Sequence, residues 1–196
     1  MKALFSDLRI SLLLTVAFGV LLCGAYPLAV WAGAQLLFPA QANGSLVRDA
    51  SGQVRGSALL AQNFSSARYF QPRPSAAGSG YDAASSGGTN LGPTSQKLRD
   101  SVAAAIAAYR TANGLAADAP VPADAVTSSA SGLDPHISVA NALLQAPRVA
   151  QARHLALETV QALVTRATAG RDLGVLGEPG VNVLRLNLSL DESARP

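Results

Sequence analysis

The chain has 196 residues, 15 basic against 12 acidic, and a formal charge of +3; 13 of its cations are arginine and only two are lysine. From Ser45 onward the balance is 13 basic to 11 acidic residues with no concentrated basic run, which argues against a nucleic-acid partner. The only cysteine, Cys23, lies in an apolar stretch, so disulfides and cysteine-held metals are excluded from the remainder.

The first element is an apolar helix. No charged side chain occurs between Arg9 and Arg48, and Ile10 to Ala25 (ISLLLTVAFGVLLCGA) is nearly pure hydrocarbon, continuing through Val30, Trp31, Leu36, Leu37 and Phe38. About 20 apolar residues suffice to cross a bilayer core, so residues 10–37 are expected to form a transmembrane helix. Lys2, Arg9 and the amino terminus, opposed only by Asp7, precede it. Positive flanks stay on the cytoplasmic face. Residues 1–9 are therefore expected to be cytoplasmic and residues 38–196 to form one exported, extracytoplasmic domain. The competing reading is a cleaved signal peptide, with small-residue sites at Ala32-Gly33-Ala34 and Ala40-Gln41-Ala42. The apolar run outlasts the usual signal core of about 7–15 residues, which favours an uncleaved anchor. Leu22 before Cys23 does not fit lipoprotein processing. Ala25, Ala29 and Gly33 recur every four residues on one face, a candidate seam for another helix in lipid. Pro27 is expected to bend the helix or mark its approach to the interface, where Tyr26 and Trp31 would sit.

The remaining chain, about 150 residues, suffices for one domain with its own core. Leu46-Val47-Arg48 and Gln53-Val54-Arg55 flank Asp49-Ala50-Ser51-Gly52 as a hairpin. Gly56 to Phe64 reads as a short helix or turn. Residues 71–93 are rich in Pro, Gly and Ser and by composition alone resemble a linker. Thr94 or Ser95 can cap a helix carrying Leu98, Val102, Ile106 and Tyr109, stopped by Asn113-Gly114. Pro120 to Ser131 is loop-like, with Val121 and Val126 as a brief strand pairing. Ser138 can cap a helix through Leu144, and Pro147 can open another at its first turn. A further helix is expected over 157–169, with Val160, Leu163, Val164 and Ala167 on one side and Gly170 at its stop. Leu184, Leu186, Leu188 and Leu190 alternate with polar residues as a half-buried strand. The expected class is α+β: one amino-terminal transmembrane helix followed by a mixed domain.

Chemistry-bearing patterns are sparse. His136 and His154, the only histidines, lie in different segments, and no spacing joins either to a serine and an aspartate. Asp134-Pro135-His136 reads as a turn into a helix. Two separated histidines make a poor metal site. The stretch Gly78 to Gly92 suggests phosphate cradling but lacks the lysine-then-hydroxyl ending of a P-loop, Lys97 being followed by Leu98. No catalytic residue, metal ligand or bound cofactor is assigned.

A series of blocks nevertheless points to a family. Tyr26-Pro27, Phe38-Pro39-Ala40-Gln41-Ala42-Asn43-Gly44-Ser45-Leu46 and Arg55-Gly56-Ser57-Ala58-Leu59-Leu60-Ala61-Gln62-Asn63-Phe64 resemble the opening of the KdpC subunit of bacterial Kdp potassium-transporting ATPases. The resemblance continues through Tyr69-Phe70, Arg73-Pro74-Ser75, Ser86 to Leu91, Val121-Pro122, Val126-Thr127, Ser128 to Ser138, Pro147 to Ala150 and Gly177 to Asn187. It covers essentially the whole chain, with Thr111 to Ala119 its weakest stretch.

The resemblance implies a non-catalytic accessory subunit of a high-affinity, ATP-driven potassium uptake complex in the cell inner membrane, single-pass with a periplasmic domain. Its implied partners are a channel-like potassium-binding subunit, a P-type ATPase subunit and membrane lipid. It also implies a chaperone-like influence on ATP binding, with ATP on the partner subunit. ATP is cytoplasmic and the domain is expected outside, so contact between nucleotide and Gln62 or the glycine-rich loop is disfavoured, and an indirect influence fits better. The resemblance further turns residues 71–93 from a spacer into an ordered loop, with Tyr69, Phe70, Arg73 and Asn90 as candidate partner-facing residues. A membrane-tethered periplasmic hydrolase and an exported binding module are the alternatives.

Overall fold

A computed structural model describes residues 2–193 of the chain. Met1, whose amino group enters the charge argument, and residues 194–196 of the expected domain lie outside the described residues. The chain divides into a helical unit ending at Leu46 and a folded unit beginning at Val47.

The helical unit is one unbroken rod with a local change of winding. Helix α1 (Lys2–Val20) passes through a π-helical turn, Leu21–Ala25, into α2 (Tyr26–Leu37). Its stretch Ala3–Leu37 has the length and composition to cross a membrane, and none of it is buried by the protein itself. At 1.5 Å per residue those 35 residues span about 52 Å, more than a hydrocarbon core of about 30 Å requires. The π turn has an identifiable cause. Pro27 lacks an N–H and its ring crowds the carbonyl one turn earlier. Widening the preceding turn, where Tyr26 N–H donates to Leu21 O, relieves that conflict without breaking the rod. Ser11 and Thr15 return their hydroxyls to carbonyls one turn back (2.8 Å each), so neither polar group stands unsatisfied in an apolar surround. A short turn of helix, α3 (Pro39–Ala42), follows Phe38.

Beyond it, strands β1 (Leu46–Arg48) and β2 (Val54–Ser57) pair as the expected hairpin. Asp49 closes the turn by accepting from the N–H groups of Ser51 (2.9 Å) and Gln53 (3.1 Å). Its carboxyl is held well below the usual carboxylate range, first by the Ser51 hydroxyl and then, against an opposing cost of desolvation, by Arg55 and the N–H groups of Gln53 and Ser51. The segment after β2 is an irregular turn rather than a helix. Gly56 adopts φ +155°, where side-chain-bearing residues are strained, and a β-carbon there would displace the Gln62 amide from its bond to Arg55 O (2.9 Å).

Helix α4 (Gln96–Ala112) begins where expected, with the Ser95 hydroxyl accepting from Leu98 N–H. The stretch Pro120 to Ser131 contains a 3₁₀ turn at Ala123–Ala125 instead of the expected strand pairing of Val121 with Val126. Strand β3 (His136–Ser138) leads into α5 (Val139–Arg153), capped by Ser138 as expected. The two helices expected on either side of Pro147 are one. Proline costs this helix a single internal bond, the one that would reach Leu143 O, and Leu143 lies on the exposed side where water can take its place.

Helix α6 (Leu157–Ala167) ends two residues before the expected boundary because β4 (Thr168–Ala169) peels away to pair with β5 (Gly180–Asn182). The three-stranded antiparallel sheet has the order β3-β5-β4, with Ile137 opposite Val181 and Val181 opposite Thr168.

The largest correction concerns the carboxyl end. Residues 184–190 are not a strand but lie in α7 (Val183–Ser193). Val183, Leu186, Asn187 and Leu190 are buried at helical spacing, and Asn182 caps the helix by accepting from Arg185 N–H at 3.1 Å. The period-two leucines coincided with a helical face. The core forms where α5, α6 and α7 meet the sheet, around Ile137, Val149, Val160, Val164, Val181, Leu186 and Leu190, with Phe70 inserted among them.

Candidate functional site

Phe70 enters that core from a segment without regular structure, so its backbone needs partners that no sheet supplies. Side-chain amides supply them. Phe70 N–H donates to Asn187 Oδ1 and Asn187 Nδ2 donates to Phe70 O, each at 2.9 Å. One residue later, Gln71 N–H donates to Gln145 Oε1 (2.8 Å) and Gln145 Nε2 donates to Gln71 O (3.1 Å). Asn187 from α7 and Gln145 from α5 thus imitate the edges of two neighbouring strands. Both amides are buried and each uses its oxygen and its nitrogen.

Two arginines of α5 extend the clasp backwards. Arg148 Nη1 donates to the carbonyls of Ala67 (2.7 Å) and Tyr69 (3.1 Å), its Nη2 to Gln145 Oε1 and its Nε to Asn113 Oδ1. Arg153, its side chain 2% exposed, donates from Nε to Arg68 O and from Nη2 to Asp191. The Arg153 guanidinium also lies 4.7 Å above the Tyr69 ring, whose hydroxyl donates to the same Asp191 carboxylate. Deeper in, Asn141 joins Gln145, Asp124 and the Tyr109 hydroxyl. Burial, then the negative charge of Asp124, pushes the Tyr109 hydroxyl up to about 12, so it remains a proton donor across the physiological range.

Beside this clasp is a groove of about 430 Å³ walled by Phe64, Tyr69 and Leu188 and edged by Arg55, Gln62 and Asp191. The rings of Phe64 and Tyr69 lie 5.5 Å apart. Asp49 and Glu192 also line the groove, and Asp49 already pairs with Arg55 at 2.6 Å. Asp191 is likewise taken up by Arg153, so Glu192 remains as the unmatched charge and the groove offers a polyphosphate no free cation among the described residues.

The residues singled out by sequence fall in different places. Tyr69 and Phe70 belong to the clasp, and the Phe70 ring is fully buried. Arg73 bonds Asp134 at 2.9 Å and reaches toward the carbonyls of Thr127 and Ser128, leaving its buried Nε without a partner among the described residues. Asn90 is exposed at φ +53°. The glycine-rich stretch packs on 129–132: Gly87 N–H and the Ser86 hydroxyl donate to Ser131 O, and Ser75 Oγ donates to Gly132 O. Gly132, at φ +66°, comes too close to Ala77 for any side chain. Residues 75–92 contain no lysine or arginine to meet a phosphate. In the helical unit, Ala25 closes the π turn, and the winding from there is α-helical, which keeps Ala25, Ala29 and Gly33 on one face. Among the described residues, no other side chain lies within 4 Å of the Gly33 β-position.

His136 and His154 are not brought together with a serine. Among the described residues neither imidazole bonds a serine hydroxyl; His136 lies 3.8 Å from Asp134, two residues away, and His154 closes α5 in the left-handed region. His136, first by its imidazole and then by its backbone N–H, together with Arg73, holds the Asp134 carboxyl at about 2 against the opposing cost of burial. No cluster able to hold a metal ion occurs among the described residues. Sequence reasoning missed Gln145, Arg148, Arg153, Asn187 and Asp191. The available signal was polar amides and arginines on the helix faces that carry the apolar positions.

An apolar rod long enough to cross a membrane, followed by a small α+β unit, defines a membrane-associated chain. The profile described as "KdpC: K+-transporting ATPase, c chain" matches residues 8–192, and the chain belongs to that family. It is 55% identical over 190 residues to the potassium-transporting ATPase KdpC subunit of Mycobacterium tuberculosis strain H37Rv, covering 97% of this chain and 98% of that one. The Myxococcus xanthus KdpC subunit is 59% identical over 171 residues (87% and 81% of the two chains), and that of Rhodospirillum rubrum 57% over 185 residues (94% and 95%). These relationships favour an ATPase subunit over a tethered hydrolase or an exported binding module.

Proposed function

We propose that this chain is the non-catalytic accessory subunit of an ATP-driven potassium uptake complex. In this reading it is anchored by its amino-terminal helix, with residues 1–9 in the cytoplasm and the folded unit in the periplasm. The observation that carries the reading is that the family match extends from residue 8, in the apolar helix, to residue 192, in α7. The partners are a channel-like potassium-binding subunit and a P-type ATPase subunit. Ala25, Ala29 and Gly33 are the candidate seam for one of them within lipid. The orientation rests on Lys2 and Arg9 preceding a run without charge that lasts to Arg48.

Any effect on ATP affinity is indirect in this reading. ATP stays on the cytoplasmic part of the pump subunit, while the groove beside Tyr69 is acidic and the glycine-rich loop has no cation. The chain acts instead by favouring a conformation of the subunits it contacts that binds ATP more tightly, and ATP must in turn tighten the chain's own binding to them by the same factor. Two measurements test this. The tagged chain should co-purify with two larger membrane proteins, and their potassium-stimulated ATP hydrolysis should fall when the chain is deleted; a fully active complex without it refutes the role. A cysteine placed in the folded unit should react with an impermeant reagent in intact cells, whereas reaction only after lysis inverts the orientation and reopens direct nucleotide contact.

A further inference from the structure

The connection between β4 and β5 carries three large apolar side chains outside the fold. Leu173 is 90% exposed, Val175 71% and Leu176 58%, within four residues of one another. The other exposed large apolar side chains described from Val47 onward are Val54, the adjacent Leu59 and Leu60, and Leu143. Concentration at one protruding turn is what marks a contact surface, since single exposed leucines are ordinary.

The turn is built rather than loose. Asp172 N–H donates to Leu176 O and Leu176 N–H donates back to Asp172 O, each at 2.9 Å, while Gly174 N–H donates to Arg171 O and Val175 N–H to Asp172 O. Arg171 grips both oxygens of Glu178 at 2.9 and 2.8 Å across its root. Leu173 (φ +53°), Gly174 (φ +79°) and Gly177 (φ +76°) hold the left-handed conformation that folds the tip back. A leucine is uncommon there. A tip already held in one shape loses little freedom on docking, so its burial goes into affinity.

We infer that the Leu173–Leu176 turn is a docking knob that seats in an apolar recess, bordered by a cation, on one of the larger chains of the same ATPase. This rests on the reading of the chain as a subunit of that complex. The chemistry selects protein over lipid as the occupant. Interfacial anchors combine apolar side chains with basic and aromatic ones. Here the turn has no aromatic residue, its one arginine is engaged by Glu178, and Asp172 and Glu178 outnumber that arginine. The Asp172 carboxylate, unpaired by any side chain among the described residues, fits a basic rim.

The test uses the full chain in its complex, reconstituted in bilayers. With Cys23→Ala as background, Leu173→Cys carries a small fluorophore, and quenching is read with aqueous iodide and with a doxyl-labelled lipid. The expected result is strong iodide quenching of the chain alone, falling about tenfold on assembly, with no gain in lipid quenching. Undiminished iodide quenching in the complex, or quenching by the labelled lipid, overturns the inference. A second arm replaces Leu173 and Leu176 by Asp together. The isolated variant should melt as the parent does, yet be recovered with the larger subunits at about one-tenth of the parent's yield or less. Recovery at the parent's yield also overturns it. Failure of the unsubstituted chain to recover any larger subunit refutes the complex itself, and the knob with it; failure of only the substituted tests refutes the knob.

Discussion

Two irregular segments of the folded unit solve opposite problems. Residues 67–71 have no ladder of their own and are tied down by side chains from elsewhere: Asn187, Gln145, Arg148 and Arg153 receive their backbone groups, and the Phe70 ring is sunk in the core. Residues 171–178 satisfy themselves, by their own backbone bonds and the Arg171–Glu178 pair, and keep their apolar side chains in solvent. The first segment contributes its side chain to the domain's stability and borrows its hydrogen bonds. The second borrows nothing and contributes nothing to the core. Irregular backbone is therefore a poor guide to role, whereas the direction in which hydrogen bonds and apolar groups are exchanged is a good one.

The contrast can be broken at either end, most severely at Phe70. Phe70→Ala should cost about 3–5 kcal/mol, the usual range for emptying a fully buried aromatic site, read as a lowered melting temperature of the full chain in detergent. Asn187→Ala comes next. It leaves the N–H and the carbonyl of Phe70 without partners inside the core, at about 1–3 kcal/mol for each buried group left unpaired and partly recovered if water enters, so a loss of about 2–4 kcal/mol is expected. A loss below about 1 kcal/mol would mean that the amide pairing is incidental.

A smaller, pH-dependent effect belongs to the pair that anchors the following turn. Asp134 ordinarily titrates at 3.8 and is held at about 2 by His136 and Arg73. A depressed carboxylate contributes stability that is complete above 3.8 and disappears as pH falls through about 2. Asp134→Asn should therefore cost up to about 1 kcal/mol at neutral pH, given the partial exposure of both partners. The difference between parent and variant should close between pH 3.8 and about 2. A difference that persists unchanged at pH 2 rules out ionisation as its source.

What was legible in the sequence follows the same division. Elements announced by local chemistry could be read: the apolar rod from its missing charges, the hairpin from Asp49 to Gly52, α4 from Ser95 and Asn113-Gly114, and the start of α5 from Ser138. Long-range exchange could not. A glutamine at position 145 looks the same in sequence whether it faces water or receives Gln71, and the difference is set by a partner 74 positions away in the chain. The α7 error has a particular source, because leucines at 184, 186, 188 and 190 satisfy a strand while the cap at Asn182 and the face 183, 186, 187, 190 satisfy a helix. Pro147 misled by its generic effect, since an exposed carbonyl one turn back makes it tolerable inside a helix. Tyr69, Phe70, Arg73 and Asn90 stand out in the sequence as partner-facing candidates; that the Phe70 ring instead turns into the core, and that Asn187 and Gln145 receive the backbone of Phe70 and Gln71, is not legible there.

The smallest effect bears most directly on the exposed turn. Leu173 stands at φ +53° with its side chain in solvent, so it carries the steric cost of the left-handed region without any packing in return. Glycine removes that cost of about 1–2 kcal/mol but adds about 0.5–1 kcal/mol of unfolded-chain entropy. Leu173→Gly should accordingly stabilise the isolated chain by about 0.5 kcal/mol, measurable as a small rise in melting temperature. A loss of about 1 kcal/mol or more would show that the leucine packs on its own domain and would erase the contrast with Phe70. If the gain is found, the residue that folding alone prefers at the tip is not the one the chain carries. The leucine then answers to something outside the domain, which is the condition a docking surface must meet.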